Sequence, residues 1–310
     1  TFLIQLLNIA GIGPIFGAIM GACFGPVAFL WITFGGIFMG AMHDFISGVI
    51  LVRNDGLSIP EIIGRYLGGG ARQFMRVFSV LLLILVGVVF LRSPASILGE
   101  MIPAVSYWWW IAIIIIYYFV ATLLPIDALI GRIYPVFGVA LLIMAVGVLV
   151  GIFTHTGWMP EITEAFTNHH PNHSLPIFPM LFITIACGAV SGFHATQSPM
   201  MARCIKNERM GRRVFYGAMI TEGIVAMIWA AAAIKYAGGY DELQQMLTAE
   251  GNSNPVLVVN FICNDWMGGI GAILAILGVV AAPVTSGDTA FRCARLIASD
   301  ILKLRQDTIW

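Results

Sequence analysis

Charged residues are scarce in this sequence. Lysine and arginine together number 16, aspartate and glutamate number 16, and only 10% of the 310 residues are charged, whereas 59% are apolar. A soluble domain carries about 25% charge, and the apolar runs here are long enough to cross a bilayer. The composition excludes a soluble globular protein and indicates an integral membrane protein. The formal net charge is zero, so it indicates no partner. We predict no nucleic-acid partner because no basic patch appears beyond what the membrane topology explains, and the lipid bilayer is the expected environment.

Signatures of cofactor, metal and covalent chemistry are also lacking. The five cysteines form no C-x-x-C pair, so we interpret them as small apolar residues. The histidines at 169, 170 and 173 have no cysteine or acid at ligand spacing, which favours a solvated loop over a metal site. We therefore predict no enzymatic activity, no cofactor and no metal, with Na⁺ as the only candidate ion.

The ends of the sequence lack the marks of complete termini. The chain begins at Thr1 inside an apolar run, with no basic region ahead of it, so no signal peptide is predicted. It ends soon after another apolar run. We expect the chain to be truncated at both ends, with further helices outside it.

Apolar runs predict eight membrane spans of roughly 20 residues each. They cover residues 1–22, 27–52, 74–98, 107–124, 133–153, 177–199, 214–236 and 268–291. Two extracytoplasmic loops are expected at 154–176 and 237–267. Within the second loop, residues 241–249 predict a short surface helix, and residues 255–263 an apolar segment that lies on or dips into the bundle.

Basic residues predict the orientation of these spans. Fourteen of the 16 fall in one set of loops, and only Arg92 and Lys235 lie elsewhere. Lysine and arginine accumulate in cytoplasmic loops, so this side is predicted to be cytoplasmic. A wrong number of spans would have scattered these charges over both sides.

Two of the spans are interrupted by helix-breaking and polar residues, at 8–17 and 187–199. A broken helix leaves backbone groups unpaired, which hydrocarbon does not tolerate unless protein or a wet cavity surrounds the break. Interrupted spans in corresponding halves point to a transporter binding site. The predicted substrate-binding residues are Asn8, Gly11, Gly13, Ser191, Gly192, His194 and Gln197. The alternative is that the glycines only allow close helix packing.

The two breaks fit an inverted repeat. Spans one and six are five spans apart and cross the membrane in opposite directions, as in a five-plus-five arrangement. Residues 1–153 would form the first repeat and residues 177–310 three spans of the second, within one transmembrane domain over 1–310. No internal repeat at the residue level supports this, so the prediction depends on topology and on the two breaks.

Three acids, Asp44, Glu222 and Asp288, lie inside apolar spans. Charge at membrane depth is costly and usually functional, so we predict a role in proton coupling, with His43 as a neighbour in a proton relay. For Asp44 and Glu222 the alternative is a satisfied structural network. For Asp288 it is an ion pair with Arg292, four residues later on the helix.

The last span combines a proline with two hydroxyls. Pro283 removes a helix hydrogen bond and frees a carbonyl, and Thr285 and Ser286 follow it. Hydroxyl and carbonyl oxygens are hard ligands suited to Na⁺. The alternative is that the hydroxyls bond back to their own helix.

Several segments together resemble the carbon starvation protein A (CstA) family of bacterial inner-membrane transporters. They are GIGPIFG (11–17), GAMHDF (40–45), LIGRIYP (129–135), SGFHATQSPMMAR (191–203) and TSGDTAFR (285–292). The resemblance implies a multi-pass protein of the bacterial inner membrane. It also implies uptake of peptides or of pyruvate-like carboxylates, driven by an ion gradient.

That family is in turn similar to the amino acid–polyamine–organocation (APC) superfamily, which implies a LeuT-like fold. Ala282, Thr285 and Ser286 have the A-x-x-T-S spacing of the sodium ligands in such symporters, and the resemblance adds the carbonyls of Leu7 and Ala10. Pro14 departs from this pattern, since it stands where a polar residue helps to ligate a second sodium ion.

The sequence therefore predicts an all-α membrane protein, a helix bundle with LeuT-like (APC-type) inverted repeats and two broken helices. Its predicted function is secondary active import of peptides or small carboxylates such as pyruvate, with H⁺ or Na⁺ as the coupled cation. The alternatives are a channel or a nutrient-sensing membrane subunit, and then an intramembrane enzyme. The choice between peptide and pyruvate, the coupled cation and the oligomeric state stay open.

Overall fold

The computed structural model describes residues 1–123, 134–164, 166–189, 194–205, 207–249 and 255–302. Within these ranges every regular element is a helix. Five helices are long and apolar enough to cross a membrane, and a bent pair near the N-terminus raises the number to six. The chain is therefore an all-helical, multi-pass membrane protein.

The first half of the described chain contains α1 to α7. They are α1 (Phe2–Ile9), α2 (Gly13–Ala22), α3 (Val27–Arg53), α4 (Ile59–Leu67), α5 (Gly69–Met101), α6 (Tyr107–Leu123) and α7 (Tyr134–Thr154). Helices α3, α5 and α7 match predicted spans to within a few residues. The apolar part of α6 is shorter than a full span.

The second half begins with three short helical segments, Ile177–Leu181, Phe182–Thr184 and Ala186–Ala189. They are followed by α8 (His194–Cys204), α9 (Glu208–Ala237), α10 (Tyr240–Thr248), α11 (Pro255–Ala275) and α12 (Ala282–Leu302). The membrane-length stretch that includes α12 covers Ile273–Ser299. Helix α10 confirms the predicted surface helix.

The first predicted span is bent by 53° between α1 and α2. Helix α1 ends at Ile9, and Ala10 leaves the helical region with φ −85° and ψ 43°. Pro14 stands in the first turn of α2, where its missing N–H leaves no helix bond unmade. The Ala10 N–H still bonds to the Leu6 carbonyl, and the Ile12 carbonyl accepts from Phe16, but the N–H groups of Gly11, Ile12 and Gly13 have no backbone partner among the described residues.

The region of the sixth predicted span packs against this bend. A Cβ atom added at Gly17 would lie 2.6 Å from the Thr184 carbonyl oxygen, and one added at Gly188 would lie 3.7 Å from Cα of Pro14. These glycines allow a close backbone approach. Residues 184–188 therefore lie directly beside α2.

The end of the chain differs from the prediction. Residues 255–267 were assigned to a loop, but they form the first part of α11, whose Val258, Val259 and Ile262 are buried. The chain then turns at Gly268, which has φ 61° and ψ −148°, a conformation open to glycine. The following helix continues to Leu302, past the predicted end at residue 291.

Helix α9 lies at the centre of the bundle and packs against α1, α2, α3 and α7. Its buried face includes five alanines, and its large buried rings are Phe215 and Trp229. Small residues let neighbouring helices approach closely in the absence of a hydrophobic driving force. Helices α5 and α6 instead expose apolar side chains such as Leu85 and Phe119, the composition expected of a lipid-facing surface.

Polar contacts distinguish the two ends of the bundle. At one end Arg53 pairs with Glu208 at 2.7 Å, and Nε of Arg203 donates to the Gly56 carbonyl at 2.9 Å. At the other, Nζ of Lys235 donates to the Ile152 carbonyl at 2.6 Å. Arg53 and Arg203 belong to the loops that were predicted to be cytoplasmic, and Lys235 does not. The fold thus agrees with the predicted grouping of these loops, and the assignment of one end to the cytoplasm stays a prediction.

Candidate functional site

Buried polar side chains gather where α1, α3, α8, α9 and α12 meet. The set consists of Gln5, Asn8, Asp44, His194, Gln197, Ser198, Glu222, Thr285, Ser286, Asp288, Thr289 and Arg292. A polar side chain at membrane depth is expected to face the bundle interior and to mark a substrate or ion pathway. Their contacts divide them into three groups.

The first group centres on Asp44, whose side chain has no exposed surface. Gln5 donates from Nε2 to Oδ2 of Asp44 at 3.0 Å, and Ser198 donates from Oγ to Oδ1 at 2.6 Å. The three residues belong to α1, α3 and α8. Hydrogen bonds to a carboxylate are stronger than those between neutral groups, so Asp44 joins these three helices.

Two histidines lie beside this carboxylate. Nδ1 of His43 and Nδ1 of His194 are 3.1 Å apart, and the rings are stacked with centroids 5.3 Å apart. Nε2 of His194 lies 3.0 Å from Sδ of Met219 and 3.9 Å from Oδ2 of Asp44. The sequence placed His43 next to Asp44 on one helix, but in the structure His194 provides the contact between them.

Glu222 lies on α9 with no exposed surface. Neither of its carboxyl oxygens has a hydrogen-bond partner among the described residues, and the Oε1 atom of Gln197 has none either. An ionised carboxylate without a partner is very costly to bury, so Glu222 has either to hold a proton or to meet a cation or a donor.

The second group connects α1 with α12 through Asn8. Oγ1 of Thr289 donates to Oδ1 of Asn8 at 3.2 Å, and Oγ of Ser286 donates to the Asn8 carbonyl at 3.4 Å. The Asn8 amide itself donates to the Ile4 carbonyl at 2.8 Å. A Cβ atom at Gly11 would lie 3.8 Å from Oγ of Ser286. Two predicted substrate residues, Asn8 and Gly11, are thus neighbours of a predicted cation ligand.

The predicted cation ligands come together from α1 and α12. Leu7, Ala10, Ala282, Thr285 and Ser286 are all buried, and Leu7 packs with Ala282. Oγ1 of Thr285 donates to the Ala282 carbonyl at 2.7 Å, as in the alternative interpretation. Among the described residues, no group of three or more histidine, cysteine or acidic side chains could hold a metal ion.

The third group surrounds Asp288. Nε of Arg292 donates to its two carboxylate oxygens at 2.9 and 3.0 Å, and the Tyr134 hydroxyl donates to Oδ2 at 3.0 Å. Arg292 also donates to the Ala121 carbonyl. The predicted alternative, an i to i+4 ion pair, is therefore present. The sequence placed Arg292 in a cytoplasmic tail; it is 1% exposed because the helix continues to Leu302.

Not every predicted site residue can be placed. Ser191 and Gly192 lie outside the described residues, and Gly13 lies at the start of α2. Sequence reasoning missed Gln5, Ser198, Met219 and Tyr134, which contact the predicted residues directly. Gln5 and Ser198 did carry a signal, since each is a polar residue inside a predicted span.

Comparison with known proteins finds one matching family and several similar relatives. The model of the family described as "Carbon starvation protein CstA" matches residues 2–108 and 95–264. An "Uncharacterized membrane protein" of Haemophilus influenzae is 41% identical over 300 residues, which is 80% of this chain and 80% of that protein. No solved structure matches the chain.

Two named transporters are also similar. "Peptide transporter CstA" of Campylobacter jejuni is 31% identical over 301 residues, 75% of this chain and 42% of that protein. "Pyruvate/proton symporter BtsT" of Escherichia coli is 28% identical over 287 residues, 73% of this chain and 40% of that protein. The chain thus spans less than half the length of these two relatives. Their names point to transport and away from enzymatic activity.

Proposed function

Because this chain belongs to the carbon starvation protein CstA family, we propose that it is a secondary active transporter. Its proposed substrates are peptides or small carboxylates such as pyruvate, imported together with a cation, and the proton is the first candidate. The observation that carries the proposal is the pair of acids, Asp44 and Glu222, that are both fully buried inside the bundle.

Proton coupling follows from the difference between these two acids. Asp44 accepts hydrogen bonds from Gln5 and Ser198, which favour its ionised form. Glu222 has no such partner among the described residues, so its burial favours the neutral, protonated form. Release of that proton needs water or a cation at Glu222, which requires the bundle to open. Proton release would thereby be coupled to a conformational change.

We place the substrate at the bend between α1 and α2. Among the described residues, the N–H groups of Gly11, Ile12 and Gly13 have no backbone partner, and α2 directs its N-terminus toward the bend. N–H groups and the dipole of a helix N-terminus favour a carboxylate. Asn8, Gly11, Gly13 and Gln197 are the proposed contacts, whereas both ring nitrogens of His194, which the sequence assigned to the substrate, face other side chains. Ser191 and Gly192 stay predictions.

A carboxylate is the group that the two candidate substrate classes share. Pyruvate has one, and every peptide has one at its C-terminus. The Gln197 side chain is 1% exposed, and its Oε1 atom has no partner among the described residues. A buried acceptor of this kind gains free energy from a donor on the substrate. A peptide N–H group or amine would satisfy it, whereas pyruvate has no such donor.

A LeuT-like inverted repeat remains part of the proposal. It is supported by the 53° bend in the first span and by the short helical segments between Ile177 and Ala189 that pack beside α2. In this arrangement residues 1–153 and 177–310 belong to opposite repeats. Alternating access would rock the first, second, sixth and seventh spans against the remaining helices. In the structure these spans correspond to α1 with α2, to α3, to the short segments from Ile177 together with α8, and to α9.

Sodium is the second candidate for the coupled cation. Ser286 lies 3.4 Å from the Asn8 carbonyl, and Leu7, Ala10 and Ala282 are buried nearby. Oxygens in this arrangement suit Na⁺. The Thr285 hydroxyl donates to its own helix, which leaves its oxygen lone pairs for a cation. The proton stays the first candidate because two acids, Asp44 and Glu222, are buried in the bundle.

Transport by the full-length protein in proteoliposomes tests the proposal. Labelled pyruvate and a labelled dipeptide are offered in parallel under an inward proton gradient, under an inward Na⁺ gradient, and without a gradient. We expect accumulation above the external concentration with the proton gradient. Accumulation only with Na⁺ would transfer the coupling to Ser286 and Asn8. Rapid flux without accumulation under any gradient would contradict the proposal and support a channel.

A further inference from the structure

We infer that His43 and His194 form a proton relay that ends at Asp44, an inference that rests on the proposed proton coupling. The sequence assigned His194 to the substrate. In the structure its two ring nitrogens are both directed at other groups of the coupling site: Nδ1 at His43, and Nε2 at Met219 and Asp44. A side chain with both nitrogens engaged in this way is placed to pass a proton on.

The two histidines differ in exposure. His43 is exposed at the surface of the described bundle, whereas the side chains of His194 and Asp44 are 2% and 0% exposed. An ionisable side chain at membrane depth faces the bundle interior or a water-filled cavity. Since His43 is not in the interior, we assign it as the water-accessible end of the pair, and His194 connects it to the buried carboxylate.

The surrounding groups define the hydrogen-bond direction. Two facing Nδ1 atoms at 3.1 Å require that one donates and the other accepts. If His43 donates, neutral His194 carries its proton on Nε2, which then faces the sulfur of Met219 and the carboxylate of Asp44. If His194 donates instead, its Nε2 lone pair faces the lone pairs of both. The first arrangement avoids this repulsion, so His43 is the donor in the resting state.

The passage of one proton along the two histidines conserves the number of protons at each step. A proton from water binds Nε2 of His43, the proton on Nδ1 of His43 moves to Nδ1 of His194, and the proton on Nε2 of His194 moves to Oδ2 of Asp44. Both rings end neutral with their tautomers exchanged, and Asp44 ends protonated. The last distance, 3.9 Å, has to shorten or be bridged by one water molecule before this step.

The relay has a built-in direction after each transfer. Once a proton has passed inward, His194 becomes the donor to His43, so a second inward proton has to wait until both rings return to their first tautomers. Among the described residues, Asp44 is the charged group in contact with the relay. Glu222 is buried on α9, the helix whose Met219 contacts His194. Only the protonation of these two acids, and no redox partner or metal, is needed for the step.

Substitution with alanine separates the relay from substrate binding. In the full-length protein, His43→Ala and His194→Ala are compared with wild type and with His173→Ala, a control histidine in an exposed loop. Two assays are run: accumulation of labelled substrate under a proton gradient, and counterflow exchange of labelled for unlabelled substrate. Counterflow moves no net proton, so loss of the relay leaves it intact.

We expect both relay variants to lose accumulation by about 100-fold, the usual contribution of a positioned proton-transfer group, and to retain counterflow. Imidazole added to the buffer should restore accumulation in His43→Ala, because the site is exposed, but not in His194→Ala, because that site is buried. If His194→Ala, the variant at the buried site, does not fold, His43→Ala still tests the relay.

Three outcomes would overturn the relay. One is that His43→Ala accumulates substrate as wild type does. Another is that His43→Ala loses counterflow together with accumulation, which would assign the histidines to the substrate. In both cases the proposed transport function stands. The third is that wild type itself shows no proton-driven accumulation, which would overturn the transport proposal and the relay together.

Discussion

Asp44 and Glu222 are both fully buried inside the bundle, yet among the described residues only Asp44 has hydrogen-bond donors around it. Gln5 and Ser198 provide those donors from α1 and α8. The unpartnered acid is the one whose protonation depends most on whether water or a ligand reaches it. In the proposed mechanism, this asymmetry gives the two carboxyls different roles. Asp44 holds the helices together and receives the proton, and Glu222 releases its proton when the bundle opens.

Replacement of Glu222 by glutamine is expected to uncouple transport from the proton gradient. Glutamine is neutral and similar in shape, so the fold should lose no more than about 1 kcal/mol. Accumulation under a proton gradient should disappear, and counterflow should remain. Glu161→Gln, a change at an exposed loop acid, is the matched control. Full proton-driven accumulation by Glu222→Gln would remove Glu222 from the mechanism.

Replacement of Ser198 by alanine removes the 2.6 Å hydrogen bond to Asp44. Because the acceptor is a buried carboxylate, we expect a loss of about 1.5–3 kcal/mol in unfolding free energy, measured by thermal unfolding in detergent. Ser47→Ala is the matched control, since that hydroxyl bonds only to the backbone carbonyl of Asp44 at 3.2 Å. Equal destabilisation by the two substitutions would show that the Asp44 carboxylate is not held by Ser198.

The pair of Asp288 and Arg292 should behave as one unit. Asp288→Asn leaves a buried cation and Arg292→Gln leaves a buried anion, so each single change should cost about 3–5 kcal/mol. The double variant should be less destabilised than the sum of the two, because neither charge is then left alone. The measurement is a double-mutant cycle of unfolding in detergent. Additive costs would show that the two side chains do not interact in the membrane.

Gly40 should be far less tolerant of alanine than Gly36 on the same helix. A Cβ atom at Gly40 would lie 2.3 Å from the Ala189 carbonyl oxygen, whereas at Gly36 no atom lies within 4 Å. Gly40→Ala should therefore force α3 away from the segment Ala186–Ala189 and cost about 1–3 kcal/mol. Gly36→Ala should be neutral or stabilising. Both are compared by unfolding in detergent and by uptake, and equal behaviour would contradict this packing.

Acidification should loosen the loop at 154–176 through His170. This ring is buried against Phe24, with centroids 4.6 Å apart, and desolvation by burial lowers the pKa of His170 from its ordinary value of 6.5. The unfolded loop then binds a proton more readily than the folded one. The loop is therefore most stable above pH 6.5 and loses stability as the pH falls below it.

Hydrogen exchange of residues 166–176 measures this effect. Exchange in the wild type should accelerate between pH 7.5 and 5.5 after correction for the intrinsic rate. His170→Phe, which keeps a ring against Phe24 and cannot titrate, should remove the acceleration. His173→Phe, in the exposed part of the same loop, should not. Acceleration that persists in His170→Phe would assign it to another group.

Much of the fold could be predicted from apolar runs and from charge. The predicted spans at 27–52 and 133–153 correspond to Val27–Arg53 and Tyr134–Thr154, because loops rich in charge or turn residues flank each of them. The same rule failed at Arg292. It treated an arginine after an apolar run as the start of a loop, whereas the partner carboxylate of Asp288 allows the charge to stay inside the helix.

The candidate site was predictable in its acids but not in their partners. Asp44 and Glu222 are conspicuous in sequence, since charge in an apolar span has few explanations. Which donors reach them depends on the helix faces that meet in three dimensions. Gln5 and Ser198 are separated from Asp44 by 39 and 154 residues, and no local pattern records such contacts. For the same reason, the contact of His43 with His194 could not be predicted from the sequence.

Proton entry during substrate uptake is the most direct measurement of the central claim. Proteoliposomes that hold a pH-sensitive dye and the full-length protein are given substrate on the outside, without an imposed gradient. The account predicts internal acidification on substrate addition in wild type and none in Glu222→Gln. Substrate entry in wild type without acidification, or acidification that Glu222→Gln retains, would contradict it.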